Sequence, residues 1–204
     1  MIRDEFHQCP ILEGIVTTTN PDGSLHLSPM GPRVDWPVTR LLFRPYAGST
    51  TGENLRQRRQ GVFHVVDDPL LIARGAMGTI DQLPPLVAAP EHYGQRLANC
   101  VRWYTFDIES IDDSREPLEM PARVTNEGRV SDFFGFNRAA HAVIEGAILA
   151  TRLEFLPADQ VLDDIARLLP LVDKTGGPRE RRAFAELQHY IDQHLSHAET
   201  REIT

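Results

Sequence analysis

The sequence predicts an α+β fold, mainly β, in which an antiparallel sheet or barrel precedes a helical tail. Three observations carry this. Short runs rich in β-branched residues, divided by turn residues, fill the first two thirds of the chain. After about residue 133 the apolar residues recur at helical spacing instead. The length, 204 residues, suits one domain with an appendage. The expected division is a β domain over residues 1–132 and a helical extension over 133–204 packed on the barrel.

The elements follow in order. Residues 11–19 are rich in Ile, Val and Thr and read as a strand. Asn20-Pro21-Asp22-Gly23 is a turn, and Ser24–Ser28 alternates polar with apolar, so the two runs form a hairpin with His26 facing outward. Pro29-Met30-Gly31-Pro32 ends the second strand. Residues 39–45 are a third strand. A small, hydroxylated loop, Tyr46–Thr51, leads into a short helix capped by Thr50 or Thr51 and ended by Gly61. Val62–Val66 is a strand, and residues 67–78 a helix capped by Asp67 or Asp68 with Pro69 in its first turn. Residues 100–111 and 119–130 supply further strands, the latter around a turn at Asn126-Glu127-Gly128. In the tail, Phe136 through Ile148, Val161 through Leu169, and Phe184 through Leu195 mark three helices, with Gly176-Gly177-Pro178 as the break before the last.

Composition excludes several classes. Hydrophobic residues are 41% and charged residues 25%, as in ordinary globular proteins. The net charge of -8 argues against a nucleic-acid partner. The charge is uneven: residues 1–66 carry seven Arg against six acids, and the acidic excess lies beyond them. A near-neutral, Arg-bearing first third suits an anionic ligand, although unequal halves also arise by chance. Cys9 and Cys100 form no CxxC, so zinc clusters are not expected. The N-terminus lacks an apolar signal segment, and the apolar runs fall short of the ~20 residues of a membrane span. Together these predict a cytoplasmic protein without a membrane partner.

The most informative stretch is 28–54. A strand ending Ser28-Pro29-Met30-Gly31 is followed by Arg44 and by Ser49-Thr50-Thr51 before a helix containing Asn54. Hydroxyls and free backbone N–H groups at a helix start make a phosphate cradle, and an arginine nearby adds a charge-assisted bond. The same residues also suit an ordinary cap. No Walker loop or GxGxxG is present.

Ile15–Gly23 followed by Ser28–Gly31 resembles the first hairpin of the flavin-binding split-barrel proteins. Ser49-x-Thr51-x-x-Asn54-Leu55, then a strand running into Asp67-Asp68, continues the likeness. The segment Gly135-Phe136-Asn137-Arg138-Ala139-Ala140-His141 through Ala150-Thr151-Arg152 is more specific and resembles the family of unknown function DUF447. The resemblance spans most of the chain. It implies a six-stranded split barrel, a homodimer and FMN at the dimer interface. It also implies that Ser28, Pro29, Met30 and Gly31 meet the isoalloxazine ring, while Ser49, Thr50, Thr51 and Asn54, with Arg44, hold the phosphate. His64 departs from the asparagine expected in its strand. The implied function is a flavin-dependent oxidoreductase acting on a small molecule. The alternative is a non-catalytic flavin- or pterin-binding module linked to one-carbon metabolism. No catalytic residue is singled out.

Asn137, His141 and Glu145 are spaced by four, on one helical stripe flanked by Arg138 and Arg152. A structural role, packing against the barrel or a dimer mate, is weighed there against a metal or a role near the flavin. The small residues Ala139, Ala140, Ala142, Gly146 and Ala147 permit close approach of another element. Trp36, Tyr46, Trp103 and Tyr104 suit either ring stacking or core packing, and Cys100 reads as a buried thiol.

Overall fold

The β-branched run after Glu13 forms β1 (Gly14–Thr19), which turns through Asn20–Gly23 into β2 (Leu25–Met30). Gly23 sits at φ 88°, a conformation that favours glycine. In the computed structural model, which describes residues 6–202, seven strands form one antiparallel sheet in the order β2-β1-β5-β8-β9-β4-β3. The others are β3 (Arg33–Val34), β4 (Arg40–Phe43), β5 (Gln60–Val65), β8 (Arg102–Ile108) and β9 (Met120–Arg129). Two short strands, β6 (Leu86–Ala88) and β7 (Gln95–Leu97), form a separate hairpin. The mainly-β half-barrel with C-terminal helices is the predicted α+β class, with seven strands rather than six.

The chain divides into two compact units. One holds the sheet, with residues up to 67 and 82–133; the other holds residues 68–81 and 134–204. In the first, side chains alternate across the sheet. Val16, Leu41, Phe43, Phe63, Tyr104, Phe106, Ile108, Met120 and Ala122 converge on one core, closed by Leu55 of α1 (Thr50–Arg58). Phe43 and Phe106 lie with ring centroids 4.5 Å apart. The opposite face of β1 and β5 is also buried. There Val62 packs with Ala89 and Tyr93, with Trp103 against them, and the Thr17 hydroxyl donates to the Gln95 carbonyl.

Two local readings are corrected here. Asn126-Glu127-Gly128 is no turn: β9 continues through it, paired in order with Thr105, Tyr104 and Trp103 of β8, with a bulge between Thr105 and Phe106. Gly128 is required for a different reason, because a Cβ there would lie 2.4 Å from the Trp103 indole. The helix cap of α1 is Ser49, not Thr50 or Thr51, and the helix ends at Arg59 in the left-handed region rather than at Gly61.

In the second unit α2 (Pro69–Met77) has Asp68 as its cap and Pro69 in its first turn. It packs with α3 (Arg138–Ala150) and α5 (Pro178–Glu202), and α3 also packs with α4 (Ala158–Thr175). The small residues of α3 allow this approach: Ala139, Ala142, Gly146, Ala147 and Ala150 are buried, and the space beside Gly146 is bounded by Leu187, Ile165 and Phe184. Arg74 of α2 donates from Nε and Nη2 to the Glu186 carboxylate of α5, both at 2.7 Å. These bonds hold the Glu186 carboxyl below the usual range. Phe136 is 90% exposed, so it does not join the helical core. Among the described residues no helix is long and apolar enough to cross a membrane.

Candidate functional site

The β1–β2 hairpin and α1 are tied together by the residues the sequence singled out. Asn54 is 2% exposed, and its Nδ2 donates to Thr18 Oγ1 and Asn20 Oδ1, both at 2.9 Å. Thr51 is buried, with Oγ1 3.1 Å from His26 Nε2. His26 therefore turns towards α1, half-buried, and does not point outward as its alternation with Leu25 and Leu27 suggested; burial lowers its pKa. Arg58 adds a bond to the Asn20 carbonyl. These contacts fix the start of α1 against the hairpin.

The start of α1 offers donors. Ser49 Oγ accepts from the Gly52 N–H at 3.1 Å and donates to the Tyr46 carbonyl at 2.7 Å. The Glu53 N–H reaches the Ser49 carbonyl. Among the described residues the N–H groups of Thr50 and Thr51 find no acceptor, as expected for the first turn of a helix. They lie where the helix dipole is positive, beside the exposed Thr50 hydroxyl. So Ser49, Thr51 and Asn54 build the frame, and the open donors are two backbone N–H groups and one hydroxyl. That set suits a phosphate.

Ser28, Pro29 and Met30 form the end of β2, which is an edge strand. Pro29 is tolerated there because an edge strand leaves alternate backbone groups unpaired. All three are half-buried, and Gly31 follows at a tight approach, where a Cβ would lie 2.6 Å from Ile11 Cγ2. Open carbonyl and N–H groups along this edge can read the polar rim of a planar heterocycle. Arg44 lines a different recess, with Phe6, His7, Arg33, Leu42 and Glu119.

His64 explains its own departure from expectation. It is fully buried: Nε2 accepts from the Leu97 N–H at 3.2 Å, which makes Nδ1 the donor to the Ile15 carbonyl at 3.0 Å. The ring joins β1 to the β6–β7 hairpin, and burial pushes its pKa down to about 4. Trp103 lies flat on Gly128 with the Arg96 guanidinium over its ring at 5.0 Å, and Tyr104 is in the core. Trp36 and Tyr46 are exposed. Cys100 is buried and its thiol pKa is raised by burial.

On the helical stripe, Asn137 is the cap of α3, accepting from the Ala139 and Ala140 N–H groups and donating to the Thr175 carbonyl. His141 and Glu145 are exposed, and His141 meets the Phe136 ring edge-on. Among the described residues no group of three or more His, Cys, Asp or Glu converges on one point.

The antiparallel half-barrel, with an edge strand and a donor-rich helix start beside one hairpin, places the protein in the class of mainly-β α+β half-barrel folds. Residues 12–131 match the N-terminal domain of the protein of unknown function DUF447, and residues 137–188 match its second domain. The chain belongs to the DUF447 family. Its fold is similar to that of an FMN-bound DUF447 protein from Methanosarcina mazei: TM-score 0.76 at 22% identity, covering 93% of this chain and 100% of that one. A second similar structure is the styrene monooxygenase flavin reductase of Pseudomonas putida, with TM-score 0.50 at 14% identity, covering 59% of this chain and 82% of the other.

Proposed function

We propose that this chain is an FMN-binding homodimer that acts as a flavin-dependent oxidoreductase on a small molecule. The observation that carries this is the pair of unpartnered N–H groups at Thr50 and Thr51, held rigidly against the hairpin whose second strand ends in Ser28–Gly31. In this reading the two N–H groups and the Thr50 hydroxyl hold the FMN phosphate. Ser49 keeps the helix start open, and Asn54 fixes its distance from the hairpin. The edge groups of Ser28, Pro29, Met30 and Gly31 orient the isoalloxazine ring. FMN, when bound, supplies the electron-transfer chemistry, and the protein supplies position and electrostatics. The similarity to an FMN-bound relative supports the cofactor. Trp36, 89% exposed, and Tyr46, 66% exposed, flank the two ends of β4 and are aromatic side chains that a second copy would cover in this reading.

The purified protein is expected to be yellow and to release FMN on denaturation. A colourless protein that fails to bind added FMN overturns the reading. One observation favours a second function, a non-catalytic flavin- or pterin-binding module: the titratable side chain that touches the cradle, His26, is engaged by Thr51. Anaerobic mixing of the loaded protein with NADH or NADPH separates the two, since bleaching of the flavin band requires hydride transfer from the nucleotide to the bound flavin.

A further inference from the structure

The recess that contains Arg44 is built from three neighbouring strands. Arg33 of β3 pairs with Leu42 of β4. Phe43 pairs with Met120, so Arg44 and Glu119 stand one step further along the same ladder. Leu41, Phe43 and Met120 face the core, so by alternation Arg33, Leu42, Arg44 and Glu119 share the opposite face. Phe6, 2% exposed, and Leu42, also 2% exposed, give this face an apolar floor. Between them lies a cavity of about 170 Å³.

Its charges are not closed. Arg33 is anchored by a 2.8 Å bond from Nη1 to the Cys9 carbonyl. Arg44 Nε is buried with no hydrogen-bond partner, and among the described residues Arg44 forms no ion pair. A guanidinium N–H buried without an acceptor is costly, and proteins rarely leave one so. Glu119 across the ladder does not accept from it. Among the described lining residues two guanidinium groups stand with one carboxylate, and the planar fork of arginine matches an oxyanion. The volume equals that of about six waters, which admits a small acid or a phosphate group and not a tricyclic ring.

We propose that this recess is a binding site for a small oxyanion, carboxylate or phosphate, held by Arg44 and Arg33 and separate from the start of α1. The site stands whether or not the chain binds FMN. The test is calorimetric titration of the full chain, saturated with FMN where it binds, using inorganic phosphate and acetate as probes and chloride as the ionic-strength control. Saturable binding of either probe is expected, and the stronger probe identifies the source of the oxyanion. Arg44→Gln should weaken it at least tenfold. Arg44→Lys, which keeps the charge and loses the fork, should weaken it less, and a thermal melt checks that both variants fold. Absence of saturable binding to either probe overturns the proposal. So does an Arg44→Gln variant that loses FMN instead of the probe, because the guanidinium then serves the flavin phosphate.

Discussion

His64 shows how one buried side chain makes stability depend on pH. Its folded pKa of about 4 lies below the ordinary 6.5. Between these values the unfolded chain binds a proton that the folded chain refuses. The contribution of the neutral ring is therefore complete above 6.5 and is lost as pH falls towards 4. A shift of this size amounts to on the order of 3 kcal/mol. Protonation would also set a second N–H against that of Leu97. Denaturant midpoints at pH 7 and pH 4.5 should fall further for the native chain than for His64→Gln. Equal falls would show that other groups dominate. The role of His64 was not legible in the sequence, because its partners Ile15 and Leu97 are 49 and 33 positions away. Asn54 shows the opposite case. A polar residue inside a short helix beside a Ser-Thr-Thr loop marked a special contact, although its partners, Thr18 and Asn20, came only with the fold.

At the scale of elements, β1, β2, β5 and β8 were legible from β-branched runs and alternation, and α3, α4 and α5 from helical spacing. The strand β3 was not, since two residues carry no period, and β6 and β7 are three residues each. The misread turn in β9 has a physical cause. Asn-Glu-Gly suits a turn locally, but the Trp103 ring needs a position without a Cβ directly across the ladder. Gly128→Val should thus destabilise the protein by about 1–3 kcal/mol despite the better β propensity of valine. Tryptophan emission should move to the red as the ring is displaced. An unchanged spectrum and an unchanged melt would show that β9 yields at no expense. The misplaced Phe136 has a similar lesson: it kept the helical spacing of Ala139 and Val143 but precedes the Asn137 cap, so it belongs to no helix.

At the scale of the molecule, the chain enters the helical unit twice, first for α2 and again from residue 134. A division at residue 132 would leave Ile72, Ala73 and Met77 of α2 without the α3 and α5 surfaces that cover them. Expression of residues 1–132 alone is therefore expected to give aggregation or a sharply lowered melting temperature. A monodisperse fragment with native-like melting would refute this.

The two units also differ in what light can see. Both tryptophans, Trp36 and Trp103, belong to the sheet unit, while α2 to α5 belong to the other. Indole emission thus follows the sheet, and the far-ultraviolet helical signal follows mainly the second unit. Coincident denaturation curves from the two signals would mean that the units melt as one cooperative body. Separated curves would assign each transition to its unit without any label or engineered probe.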